Sequence, residues 1–188
     1  MKICKDFFKK FKGFLVEPTK TFAKEKNTTL GDAFKYALIL FFISSILAAV
    51  WSFTITPLFS VPEVYKTPGM ELLYNPVFIF VWSYVGSIIF SLLGGLWIHL
   101  FAYLFGAKKG LKQTIKTVFY AQTPNVFGGL PIIGMVFGIW SLFLQFLGLK
   151  ALHGMKGDKA ALTVVVAILI PILVALVLGA AIVLTYLF

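Results

Sequence analysis

Apolar residues dominate this chain in four long blocks. No Asp, Glu, Lys or Arg occurs at positions 36–62, 72–107, 117–149 or 160–188. A helix needs roughly 20 apolar residues to cross a bilayer core, so each block is long enough to span. The first block predicts a helix over 34–56, closed by Pro57, and the second a helix over 76–105, long enough to tilt. The third is too long for one crossing, because a helix over 117–149 would reach roughly 50 Å against a core of about 30 Å. Pro124, Gly128, Gly129 and Pro131 interrupt its middle, which is the composition of a tight turn between two helices. It therefore reads as two short spans, 117–127 and 132–149, the first also being the length of a re-entrant segment. The last block predicts a span over 160–188, with Pro171 as a kink.

Residues 1–33 follow a different pattern. Ile3, Phe7, Phe8, Phe11, Phe14 and Leu15 recur at helical spacing, while Lys2, Lys5, Lys9, Lys10 and Lys12 fall mostly on the opposite face. The pattern predicts an amphipathic helix on the inner membrane surface, with phenylalanines in the headgroup boundary and lysines toward anionic lipid. The fold class expected is thus an all-α integral membrane protein: a bundle of five transmembrane helices with an N-terminal amphipathic interfacial helix.

Charge then sets the orientation. With five spans, 16 lysines face the cytoplasm and only Lys66 lies outside; with the third block crossing once, the division would be 13 against 4. Cytoplasmic loops retain positive charge, so the expectation is a cell-membrane protein with its N-terminus cytoplasmic and its C-terminus external. The same rule accounts for a net charge of +10, which in a soluble protein would raise nucleic acid as a partner. No nucleic-acid role is expected here. With 60% apolar and 13% charged residues, the chain leaves too little polar sequence for a soluble catalytic domain.

Chemistry-bearing motifs are sparse. Cys4 is the single cysteine, which excludes an internal disulfide and a Cys/His zinc cluster. No secretory signal precedes the first long block, and neither end fits a lipidation motif. No HExxH, GxSxG or Walker-type loop occurs, and apart from Lys35 at an inner border no charged residue enters a predicted span. A non-enzymatic protein without cofactor or metal is expected. Small residues do recur at helix-contact spacing, as in Ser83, Ser87, Ser91 and Gly95, in Gly134, Gly138, Ser141 and Gly148, and in Ala167, Pro171, Ala175 and Gly179. These stripes serve packing within a bundle or within a homo-oligomer.

The remaining signal is the depth of the polar residues. His99, Tyr103, Tyr120, Gln122, Thr123 and Gln145, with His153, all fall in the inner half of the predicted bundle. An unpartnered polar group in hydrocarbon costs several kcal/mol, so these groups should face one another, backbone carbonyls or water. Two readings follow: structural interhelical hydrogen bonds, or a small polar cavity open to the cytoplasm.

The order of local motifs resembles the Yip1 family of membrane proteins. The resemblance rests on Glu17-Pro18-Thr19-Lys20-Thr21-Phe22, on Gly106-Ala107-Lys108-Lys109-Gly110-Leu111-Lys112-Gln113-Thr114, and on Phe119-Tyr120-Ala121-Gln122-Thr123-Pro124. It continues through Ile139-Trp140 to Gly148-Leu149-Lys150-Ala151-Leu152-His153. Tyr120 and Pro124 match the family's GYxxxP motif, with Phe119 in place of its glycine. The resemblance implies a five-span bundle. Eukaryotic members are implicated in transport-vesicle formation and bind Rab-type GTPases largely through a longer cytoplasmic amino-terminal region. Here that region is about 33 residues long, which leaves little basis for a small-GTPase partner.

The function expected is a scaffold that organises membrane or recruits partners. Lys5, Lys9, Lys10, Lys12, Lys108, Lys109, Lys112 and Lys116 would present a basic inner surface to anionic lipids or to an acidic protein partner. The alternative is a small transporter or channel using the inner polar cavity.

Overall fold

A computed structural model describes residues 2–54, 71–130 and 133–187. All regular structure among them is helical: α1 (Lys2–Val16), α2 (Pro18–Glu25), α3 (Leu30–Thr54), α4 (Pro76–Leu104), α5 (Leu111–Ala121), α6 (Ile133–Gly148) and α7 (Gly157–Leu187). Local chemistry sets the helix starts. Thr29 and Asp32 form a reciprocal capping box at α3: Asp32 N–H donates to the Thr29 hydroxyl oxygen at 3.1 Å, and Thr29 N–H and Oγ1 donate to the Asp32 carboxylate at 3.3 and 2.8 Å. At α4 the Asn75 side chain accepts from the amides of Val77 and Phe78, and Pro76 opens the first turn where no N–H is needed. Gly154, at φ 72°, ends the π-helical turn Leu149–His153 that follows α6, and that left-handed conformation favours glycine.

Four segments are long and apolar enough to cross a membrane: Leu30–Ser52, Pro76–Leu104, Ile133–His153 and Gly157–Thr185. The expected span over 117–127 is different. Its residues divide between the end of α5 and a 3-10 turn, Thr123–Phe127, with Pro124 in its first turn. With 11 residues, α5 reaches only about 16 Å, roughly half the hydrocarbon thickness. The chain then reverses tightly: a side chain at Gly134 would meet the carbonyl oxygen of Gly128. The Pro/Gly turn expected between two helices is therefore present, but it joins a half-length helix to a long one.

Helix α5 lies at the centre of the molecule. Phe119, Tyr120 and Ala121 belong to a core shared with α1, α2, α3 and α6, while Val118 belongs to a second core with α4 and α7. Close approaches on both sides use small residues. Gly95 of α4 leaves room for Ile115, and Gly148 of α6 leaves room for Thr117 and Phe22. The stripe on α7 behaves otherwise, because from Pro171 to Thr185 every residue is exposed, Ala175 and Gly179 among them, and a side chain at Gly179 would meet no described residue.

The amino-terminal segment also departs from expectation. It forms two helices, α1 and α2, folded back on each other at Gly13 and Thr21. Phe7, Phe14 and Phe22 are buried in the protein core rather than directed to headgroups. Burying each aromatic side chain stabilises this docking by about 2 kcal/mol before ordering costs. Phe8, on the other side of α1, is exposed.

Candidate functional site

The densest polar arrangement joins the α1–α2 arm to α5. Lys116 and Tyr120 stand one turn apart on the α5 face that meets the arm. The Lys116 ammonium, 2% exposed, donates to the carbonyls of Glu25, Lys26 and Thr28 at 3.1, 3.1 and 2.7 Å. These carbonyls belong to the end of α2 and the turn after it, where helix acceptors lack partners and the helix dipole favours a cation. Burial pushes the Lys116 ammonium below the ordinary lysine range, an effect the Glu25 carboxylate opposes.

Glu25 ties the same junction from the other side. Its carboxylate accepts from the Tyr120 hydroxyl at 2.9 Å and from Lys10 at 2.8 Å. The Tyr120 hydroxyl carries the proton of this pair and donates it to the carboxylate, which can only accept. Phe14 stacks on the Tyr120 ring with centroids 4.8 Å apart, and Phe22 and Tyr36 complete the aromatic cage at 6.2 and 5.7 Å. Thr123 donates to the Tyr120 carbonyl at 2.6 Å, which leaves its oxygen to accept from Tyr36 at 2.8 Å. Tyr120 thus serves the attachment of the arm, while Thr123 joins the end of α5 to Tyr36 of α3.

Two other expected residues lie on the opposite side of α5. His99 Nδ1 and His153 Nε2 stand 2.8 and 2.9 Å from the hydroxyl oxygen of Thr114. One hydroxyl hydrogen serves one ring nitrogen, so the other ring presents N–H to the oxygen; because the neutral rings bond through Nδ1 and Nε2 respectively, the two histidines then hold the same tautomer. His99 and the exposed Tyr103 also line a cavity of about 600 Å³ with Gly106, Lys108 and Gly110. A side chain at Gly106 would approach the Lys159 ammonium, and one at Gly154 the Lys109 ammonium. The end of α4, the start of α5, the end of α6 and the start of α7 therefore share one end of the molecule.

Gln122 turns a third way. It pairs with Asn125 and reaches Ser91 at 3.5 Å, facing a groove between α3 and α4. Gln145, half-buried on α6, hydrogen-bonds to no described residue. The single inner cavity expected from His99, Tyr103, Tyr120, Gln122, Thr123 and Gln145 is consequently not formed. A helix of 3.6 residues per turn carries Thr114 and Tyr120 to different faces of α5, Gln122 follows its last turn, and a similar position along the sequence does not bring them together.

The expected basic surface is corrected as well. Lys5, Lys9, Lys12, Lys108, Lys109 and Lys112 are exposed. Lys10 is half-buried in its pair with Glu25, and Lys116 is withdrawn from any surface by its three carbonyl partners. Glu25, Thr28, Tyr36 and Thr114 were absent from the expected site. Only Glu25 left a sequence signal, a lone acid between Lys24 and Lys26. Among the described residues, no group of three or more His, Cys, Asp or Glu side chains converges as a metal would require.

Neither the curated proteins nor the solved structures yielded a match to this chain. The profile of one protein family, the Yip1 domain, matches residues 12–179. The match runs from within α1 to the C-terminal half of α7 and contains both Tyr120 and Pro124, the residues around which the arm and the hairpin turn are built. Apolar helices of membrane-crossing length, packed around a half-length α5, accompany that match over most of the chain: the protein is a membrane protein that belongs to the Yip1 domain family.

Proposed function

We propose that the protein is a non-enzymatic scaffold of the cell membrane that recruits anionic lipid, or an acidic partner, at its cytoplasmic face. The observation that carries this reading is the arm's attachment to α5. Because Phe7, Phe14 and Phe22 are consumed by the protein core, α1 and α2 are held with Lys5, Lys9, Lys12, Lys20, Lys24 and Lys26 exposed. Each such lysine contributes about 1 kcal/mol beside an anionic leaflet. A preformed array avoids the ordering cost that a disordered basic tail would meet on binding.

In this reading the N-terminus is cytoplasmic and the C-terminus external, with the α5 hairpin entering from the inner side as a fifth membrane element. The shared end that holds Lys108, Lys109, Lys156 and Lys159 supports it, because those lysines then lie with the arm's on the positive side. The test uses the intact protein in nanodiscs of neutral lipid, which leave both faces open. Co-flotation with phosphatidylserine vesicles, weakened by salt and by glutamine at Lys5, Lys9 and Lys12 together, is the expected result. Equal recovery with neutral vesicles, or no effect of the triple substitution, would overturn the proposal.

A further inference from the structure

A groove between α3, α4 and the turn after α5 is not used by the arm. It consists of two adjoining cavities of about 420 Å³ each, which share Ser44, Ser83, Ser87, Asn125 and Val126. Ser91 and Gln122 close one end, and Thr54 and Leu130 stand toward the other. No charged residue lines either cavity.

The hydroxyls at Ser83, Ser87 and Ser91 extend along about 12 Å of the middle of an apolar 29-residue helix. A serine in a helix ordinarily returns its hydroxyl to a carbonyl of the preceding turn, as Ser44 does to Phe41 at 3.0 Å. Ser83 and Ser87 form no such bond with any described residue, while both line the groove. Gln122 and Asn125 are fixed in place by each other, by Ser91 and by Ser141. Polar groups at this depth are costly unless something meets them, and an ionic ligand would lack any counter-charge. The chemistry suited to the site is an uncharged group that both donates and accepts hydrogen bonds.

The rim identifies how such a group is carried. Trp82 and Phe90, each 63% exposed, flank the groove on the outward face of α4. The space admits the polar end of a lipid but not its whole bulk. We propose that this groove binds the hydroxyl- and ester-bearing end of a neutral lipid of diacylglycerol type, its chains leaving past Trp82 and Phe90 into the bilayer.

The test reconstitutes the whole protein in phosphatidylcholine nanodiscs containing a trace of diacylglycerol with a photoreactive group beside the ester. Cross-links are mapped by mass spectrometry. Labelling concentrated between Ser83 and Ser91 or between Gln122 and Phe127, suppressed several-fold by unlabelled diacylglycerol and not by free glycerol, is the expected result. Ser87→Leu, which fills the groove with an apolar side chain, should remove that labelling. Suppression by free glycerol would overturn the lipid assignment in favour of a soluble polyol. Labelling spread evenly over the lipid-facing helices, or no suppression by unlabelled diacylglycerol, would overturn the site itself. These competitions use the wild-type protein, so their outcome stands even where Ser87→Leu fails to fold.

Discussion

The hydroxyl of Tyr120 donates to the carboxylate of Glu25 across 95 positions of sequence, at 2.9 Å. Tyr120 lies in the last turn of α5, among the buried residues of the core, and Glu25 closes a helix of the amino-terminal arm. One contact thus connects the buried helix of the membrane domain to the segment that carries the exposed lysines.

Tyr120→Phe should loosen the arm without dissolving its aromatic seat, since the Phe14 stack survives and the hydroxyl is lost. The expected cost is about 1–2 kcal/mol, because Glu25 keeps Lys10 as a partner. Hydrogen exchange should rise across residues 5–29 and remain low in α4. Unchanged protection of the arm would show that the aromatic contacts alone hold it.

Lys116→Met removes a buried charge but leaves three carbonyls without their donor. Limited trypsin digestion should then cut within α1 and α2 faster than in the wild type. The pH dependence has a definite sign. Burial lowers the folded-state value of Lys116, so the charging penalty is complete below that value and is relieved as pH rises toward 10.5, the ordinary value. Measured as the stability of wild type minus Lys116→Met, the difference should move in favour of the wild type on going from neutral to alkaline pH.

Gly148→Ala should destabilise by about 1–3 kcal/mol, because the added methyl would stand 2.5 Å from Thr117 Cγ2 and 3.0 Å from Phe22 Cε1. Thr117→Ser deletes the nearer of these atoms and should recover part of the loss. Thermal denaturation of the single and double variants in detergent measures the coupling, and strict additivity would count against the contact.

The convergence of the α4–α5 and α6–α7 connections predicts a pattern of chemical access. In a Cys4→Ser background, Lys108→Cys and Lys156→Cys should react with an impermeant maleimide only after permeabilisation. Leu72→Cys, on the turn before α4, should react in intact cells. Labelling of Lys156→Cys alone in intact cells would mean that α6 crosses without the hairpin that returns it.

Much of this architecture was legible one segment at a time. The charge-free blocks marked α3, α4, α6 and α7, since a membrane-crossing helix satisfies its own backbone and needs only length and apolarity. The starts of α3 at Thr29 with Asp32 and of α4 at Asn75-Pro76 rest on capping, a contact among near neighbours in sequence, although the sequence reading began the first span at residue 34. The reversal at Gly128 and Gly129 was equally local.

What escaped the sequence depended on partners far along the chain. An amphipathic face such as Phe7, Phe14 and Phe22 gains the same free energy from a lipid boundary as from a protein core, so periodicity alone cannot choose between them. Lys116 looked like its neighbours Lys109 and Lys112 until three carbonyls some 90 residues away enclosed it. The polar residues were expected to share a depth, but depth fixes one coordinate only. Which of them meet was decided by the rotation of α5 against its neighbours, and that rotation follows from side-chain packing on all of its faces at once. Sequence by itself determined a membrane-embedded helical protein of this family; the tertiary structure decided that its arm is fastened to α5 and that its polar residues serve three separate places.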